Sequence, residues 1–263
     1  MEQSVRFGPG WREAALILLM LAPLFYLLFL YGAPIPQDRG YHVFADVRTC
    51  LGLRNFGNVV SNVPFLLVGA AGALWCYRHP GEGAVRSWMV FFLGVALVFF
   101  GSAYYHRTPG DDSLVWDRLP MTIAFMGLFV ALVSEHIGQK LERVLLVPAV
   151  VAGIASVLWW KLSDDLRVYV WVQFAPLLAI PFVLAAYPAR YTHRHYLLYG
   201  VAIYALAKVA EYYDYAFFNL TASAVSGHSL KHLLAAAAPF IVYLMLRRRS
   251  PVAVRRSPAG TPR

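Results

Sequence analysis

Long, nearly uninterrupted apolar blocks recur along this chain, and they restrict its fold more than any other feature. Eight can be placed, at 14–33, 58–77, 88–106, 117–134, 144–161, 168–187, 197–218 and 228–246. About 20 apolar residues in a helix cross a hydrocarbon core of ~30 Å. Within lipid every backbone N–H and C=O must be satisfied inside the segment, and a helix does this by itself. The spacing therefore predicts an all-α, polytopic membrane protein. Charged residues are 14% of the chain, against roughly 25% in a soluble domain, and too little remains outside the blocks to build one. The first block exceeds the usual core of a signal peptide, and Gly32-Ala33-Pro34 is a poor cleavage site. It is expected to stay as a helix.

The formal net charge of +9 has a topological reading. With a cytoplasmic N-terminus, eight crossings return the C-terminus to the same side. Fourteen Lys and Arg residues then fall on the cytoplasmic side and seven on the opposite side, which is the positive-inside asymmetry. No nucleic-acid partner is implied. Cys50 and Cys76 would lie near opposite ends of the second crossing, too far apart for a disulfide.

Connections are short and rich in turn residues, as in Arg78-His-Pro-Gly-Glu-Gly83 and Arg107-Thr-Pro-Gly-Asp-Asp112. Three regions follow: an N-terminal helix with its connecting segment (1–57), a seven-helix core (58–247) and a basic cytoplasmic tail expected to be disordered (248–263).

Polar residues of one chemical kind gather at the ends of three separate blocks. Ser102 and His106 are four apart at the end of the third, and Asp117 opens the fourth. His228 and His232 are four apart at the start of the eighth, on one helix face. Alternating topology brings all five to the same side of the membrane, facing the periplasm or a lumen. Ionisable groups in lipid are costly and mostly functional. Three neutral imidazoles with room for a water are the ligand set of a hydrolytic zinc site.

Ser-x-x-x-His, then Asp-x-Leu-Pro-Met eleven residues on, then His-x-x-x-His in the last block resembles the alkaline ceramidase family. That family belongs to a wider group of membrane hydrolases that includes adiponectin-receptor-type proteins. Asn58-Val-Val-Ser61-Asn62 is similar to the family's Asn-x-x-Ser-Asn. The resemblance spans roughly Asn55 to Arg247 and implies a seven-transmembrane-helix ceramidase-like core, preceded here by one extra N-terminal transmembrane helix. It also implies Zn2+ held by His106, His228 and His232, with Ser102 at the oxyanion and Asp117 orienting or deprotonating the attacking water. The substrate would be ceramide or a related N-acyl membrane lipid. The alternatives are a zinc hydrolase of another membrane lipid, or a receptor or scaffold with structural zinc. The oligomeric state is left open.

The family's acidic cluster before its first core helix, which looks like a calcium site, is replaced here by Asp46-Val-Arg-Thr-Cys50 and Asn55. One carboxylate among arginines is a poor calcium loop, so no site of that type is expected. Asp214 is the candidate outer partner of a zinc histidine, and Lys208 with Glu211 is expected to form a structural ion pair. His42, His79, His136, His193 and His195 are expected in solvent.

Overall fold

The computed structural model describes residues 10–252. Helix α1 (Trp11–Phe25) continues into a π-helical turn (Tyr26–Leu30) and a connection holding a short 3-10 turn (Arg39–His42). Then come α2 (Phe56–Val60), α3 (Val63–Arg78), α4 (Val85–Arg107), α5 (Asp111–His136), α6 (Lys140–Ser163) and α7 (Arg167–Ala186). α8 (Tyr196–Tyr212), α9 (Asp214–Leu220) and α10 (Gly227–Arg248) complete the bundle. Among the described residues there is no strand, only two isolated bridges.

Seven helical segments are long and apolar enough to cross a membrane, α1 with its π turn among them, and α8 with 17 residues is the short one. The packing is that of a polytopic membrane protein. Leu18, Phe29, Leu67, Val144, Val147 and Leu162 face outward, while Asn58, Asn62, Thr122 and Ser134 are wholly enclosed. That distribution suits a lipid solvent, in which polar side chains find their partners inside the bundle.

Two expected single crossings are broken. The second splits at Ser61 and Asn62, because their side chains bond to the carbonyls of the preceding turn. Ser61 Oγ donates to Asn58 O (3.2 Å) and Asn62 Nδ2 to Asn58 O (2.7 Å), which competes with the helical ladder. Pro64 then fits the first turn of α3, where no N–H partner is needed. The seventh splits at Tyr213, between α8 and α9.

α4 lies closely against α5, and glycines set the approach. A Cβ on Gly101 would stand 1.9 Å from Trp116 O, and one on Gly227 would stand 2.3 Å from Ala210 O. Each glycine immediately precedes a site residue, Ser102 or His228, so small size at these positions seats the site. The N-terminal helix docks on α7, with Leu16 and Met20 buried and Trp171 Nε1 donating to Met20 O (2.7 Å).

The first residues of the basic tail expected from residue 248 are held by the bundle. Arg249 is 8% exposed, and its Nη1 pairs with Glu135 Oε2 at 2.7 Å. Pro251 bridges to Tyr191. A buried guanidinium holds this segment because Glu135 would otherwise be an uncompensated charge. The rest of the tail, 253–263, lies outside the described residues.

Candidate metal centre

The last turn of α4 and the first turns of α10 place His106, His228 and His232 side by side. Their ring centroids are 4.7 to 4.8 Å apart pairwise. All three are buried, and one ligand nitrogen from each falls within 4.8 Å of the others. Among the described residues no cysteine or carboxylate joins this group.

The donor set fits a metal ion. His228 Nε2 and His106 Nε2 are 3.2 Å apart, and two nitrogens on a tetrahedral zinc with ~2.0–2.1 Å bonds stand about 3.3 Å apart. His232 shows which nitrogen is free. The Ser61 hydroxyl spends its proton on Asn58 O, so at 2.8 Å from His232 Nδ1 it accepts the ring N–H. That leaves a lone pair on Nε2, a buried atom with no partner. An orphaned buried acceptor costs stability, and a cation between the three rings would remove that cost.

The ligand backbone is braced too. Asn55 Nδ2 donates to His106 O (2.8 Å), and Asp214 Oδ1 accepts from His228 N (2.7 Å). Asp214 is thus a partner of a site histidine through the peptide N–H, and its other oxygen takes Ala45 N (2.8 Å). The ring partner is Ser61, a residue quoted in the Asn-x-x-Ser-Asn motif but given no role from sequence. Phe44 covers the centre edge-on, with its ring 4.8 Å from His106 and 4.7 Å from His228. No spacing in the sequence marked it.

Ser102 and Asp117 are buried. Both line a cavity of about 340 Å³, with His232 on the same wall. Its remaining walls come from α4, α5, α7, α8 and α10, and α7 touches α8 far less than α8 touches α10. The lining changes along its length. Tyr41, Ser102, Asp117, Arg118, Glu211 and Lys231 cluster at the histidine end, and Phe91, Leu128, Ile180 and Val242 continue it into the apolar core. An apolar lining with a few convergent polar groups at one end is the usual make-up of a ligand site.

Glu211 pairs with Lys208 as expected, and also with Lys231 Nζ at 3.1 Å, a contact that sequence did not suggest. The histidines expected in solvent divide. His136 is buried, at 9% exposure, and bonds Leu132 O, while His42 is held between Tyr105 Oη (2.9 Å) and Asp111 Oδ1 (3.0 Å). Asp46 is 1% exposed and is gripped by Arg48, Nε to Oδ1 at 2.8 Å and Nη2 to Oδ2 at 2.7 Å. Cys50 is exposed and Cys76 buried, both as free thiols.

Three enclosed imidazoles, with a buried serine and carboxylate on the wall of an adjoining cavity in a helical bundle, fit an intramembrane hydrolase with a candidate metal centre. The family model described as Ceramidase matches residues 53–250, three quarters of the chain, and the protein belongs to that family. The matched region starts just before α2, so α1 and most of its connection lie outside it. No curated protein matches the chain.

Proposed function

We propose that this chain is a zinc-dependent amidase acting on ceramide or a related N-acyl lipid, releasing a free fatty acid and an amine. The observation that carries the reading is the set of three buried imidazoles, one of which, His232, shares the wall of one cavity with Ser102 and Asp117. A zinc ion held by His106, His228 and His232 would acidify a water and polarise the amide carbonyl. Asp117 takes the proton that the attacking water gives up and returns it to the amide nitrogen as the C–N bond breaks. Ser102 donates its hydroxyl to the carbonyl oxygen as that atom gains negative charge. Phe44 keeps bulk water off the imidazoles, and Ser61 holds His232 in the tautomer that offers Nε2.

A receptor or scaffold with structural zinc is the weaker reading. Structural zinc sites are closed by four protein ligands, and among the described residues the cluster has three, with no carboxylate joining it. A hydrolase of another lipid remains distinct from the main reading by the bond cleaved. Purified protein should carry about one zinc per chain and lose activity to a zinc chelator. It should release fatty acid from N-acyl lipids faster than from ester-linked ones. Asp117→Asn should keep zinc and lose activity about 10²–10⁴-fold. Loss of zinc in that variant would make Asp117 a ligand and favour the scaffold, and faster ester cleavage would replace the amidase.

A further inference from the structure

The polar end of the cavity carries more positive charge than its own acids can match. Arg118, Lys208 and Lys231 line it against Asp117 and Glu211. Glu211 is committed to both lysines. Arg118 is 4% exposed and has no carboxylate within ion-pair distance among the described residues. Its Nη2 donates to the neutral Gln37 Oε1 (2.7 Å), and its Nη1 is buried with no partner. The guanidinium lies over the Trp160 and Tyr169 rings, 4.0 and 4.6 Å from their centroids. Lys231 has one acceptor, Glu211, for its three donors. A membrane-buried cation without a counter-ion is costly and marks a ligand or an ion path, and stacking on aromatic rings offsets only part of that cost.

The two cations flank the reacting groups in sequence and in space. Arg118 follows Asp117 on α5, and Lys231 precedes His232 on α10. Tyr41 and Gln37, from the connection before α2, stand over the same end. The lipid's head therefore meets Arg118 and Lys231, and its chain runs toward Phe91 and Val242.

On the reading that the chain is an N-acyl lipid amidase, we propose that its substrate bears an acidic group on the amine side of the scissile amide, a carboxylate or a phosphate. Arg118 is its main partner and Lys231 its second. A planar guanidinium is suited to such a group, which it can bind through two parallel hydrogen bonds. The neutral head of plain ceramide would leave Arg118 uncompensated. The excess charge thereby becomes a selectivity device, as a buried cation left unpaired by the wrong ligand discriminates against it.

The test uses the wild-type protein in mixed micelles and compares kcat/KM for three lipids with one acyl chain: ceramide, ceramide 1-phosphate and an N-acyl amino acid with a free carboxylate. At least one acidic lipid should exceed ceramide by about ten- to a hundred-fold, the range of a hydrogen bond to a charged group. The lipid preferred tells phosphate from carboxylate. Arg118→Gln should raise KM for the acidic lipid more than it changes kcat and bring the ratio toward one, and Arg118→Lys should keep part of it. Equal or faster cleavage of ceramide by the wild type overturns the inference and leaves the amidase standing. Equal cleavage together with competitive inhibition by free fatty acid assigns the cations to the product carboxylate, and also overturns it. Cleavage of none of the three removes the amidase reading and this one with it. A preference that survives unchanged in a folded, zinc-loaded Arg118→Gln protein takes the role from Arg118 and overturns the assignment.

Discussion

Ser61 Oγ stands 2.8 Å from Nδ1 of His232 and accepts its ring N–H, because the serine's own proton is already given to Asn58 O. A break between two helices thereby sets the tautomer of a site histidine. The distortion at Ser61 and Asn62 brings the hydroxyl of one helix end to a ring on α10, 171 residues away. Ser61→Ala should weaken zinc binding about 10- to 100-fold, the usual effect of removing such an outer partner. Ser61→Thr should retain most of the affinity. Competition against a chromophoric chelator measures both, and unchanged affinity in the alanine variant would show that packing alone orients His232.

Much of the fold was legible because lipid leaves a chain few options. Continuous apolar runs located the crossings to within a few residues, and family-like spacing singled out His106, His228 and His232. Ser102 and Asp117 were expected at helix ends on the same side, and both line one cavity. What could not be read were the partners across the bundle. Ser61 to His232, Lys231 to Glu211 and Arg249 to Glu135 each join residues more than 19 positions apart, and no periodicity encodes such pairs. The breaks at Ser61 and Tyr213 were hidden for a related reason. Apolar residues flank both, and at Ser61 the cause lies in side-chain bonds to the backbone. His136 reads as a terminal residue, yet neighbouring helices bury it.

Asp165 and Arg167 tie the start of α7 to the end of the N-terminal helix. Arg167 donates to both carboxylate oxygens of Asp165, at 2.7 to 2.9 Å, and through Nη1 to Leu27 O (3.1 Å) and Leu28 O (3.3 Å). Burial alone would raise the Asp165 carboxyl. The Arg167 guanidinium and the N–H groups of Arg167 and Ile35 outweigh it and hold the group down at about 2. Asp165→Asn leaves the guanidinium without its counter-ion and should lower stability. The depressed value means that the pair's contribution is full above the ordinary carboxylate pKa of about 4. It is lost as pH falls from there through about 2. Thermal unfolding in detergent should show a gap between wild type and variant that is constant from neutral pH to mildly acidic pH and closes on further acidification. A gap that widened with acid would exclude the pair as its source.

Orientation follows from the distribution of Lys and Arg and can be tested by labelling. We propose that the histidine end faces away from the cytoplasm. Pro109 and Glu82 are exposed and sit in connections at opposite ends of α4, whereas Ser113 is 5% exposed and donates to Thr108 O and Gly110 O, so it would label poorly. Cys50 is itself exposed, so the background must be Cys50→Ser. In intact cells an impermeant maleimide should label Pro109→Cys at once and Glu82→Cys only after permeabilisation. The reverse pattern would invert the topology and place the site on the cytoplasmic side.

Calcium should leave activity unchanged, although the chain belongs to the Ceramidase family and resembles the alkaline members. The segment before α2 has one buried carboxylate, Asp46, and the Arg48 hydrogen bonds hold its carboxyl below the usual range, so it stays ionised and paired. Both oxygens are taken by the guanidinium, and Asp46 Oδ1 also accepts Arg48 N at 3.1 Å. Asn55 is turned away, its amide on His106 O. A calcium ion needs six to eight oxygens with net negative charge, and here it would have to displace a bidentate ion pair. Hydrolysis measured in millimolar calcium and in a calcium-selective chelator should therefore agree within a factor of two or so, a change below ~0.5 kcal/mol. Arg48→Ala frees the Asp46 carboxylate and should cost stability through its unpaired buried charge, still without creating calcium dependence. Activation of the wild type several-fold by micromolar calcium would mean that other carboxylates, such as Asp111 with Asp112, build a site that this segment does not.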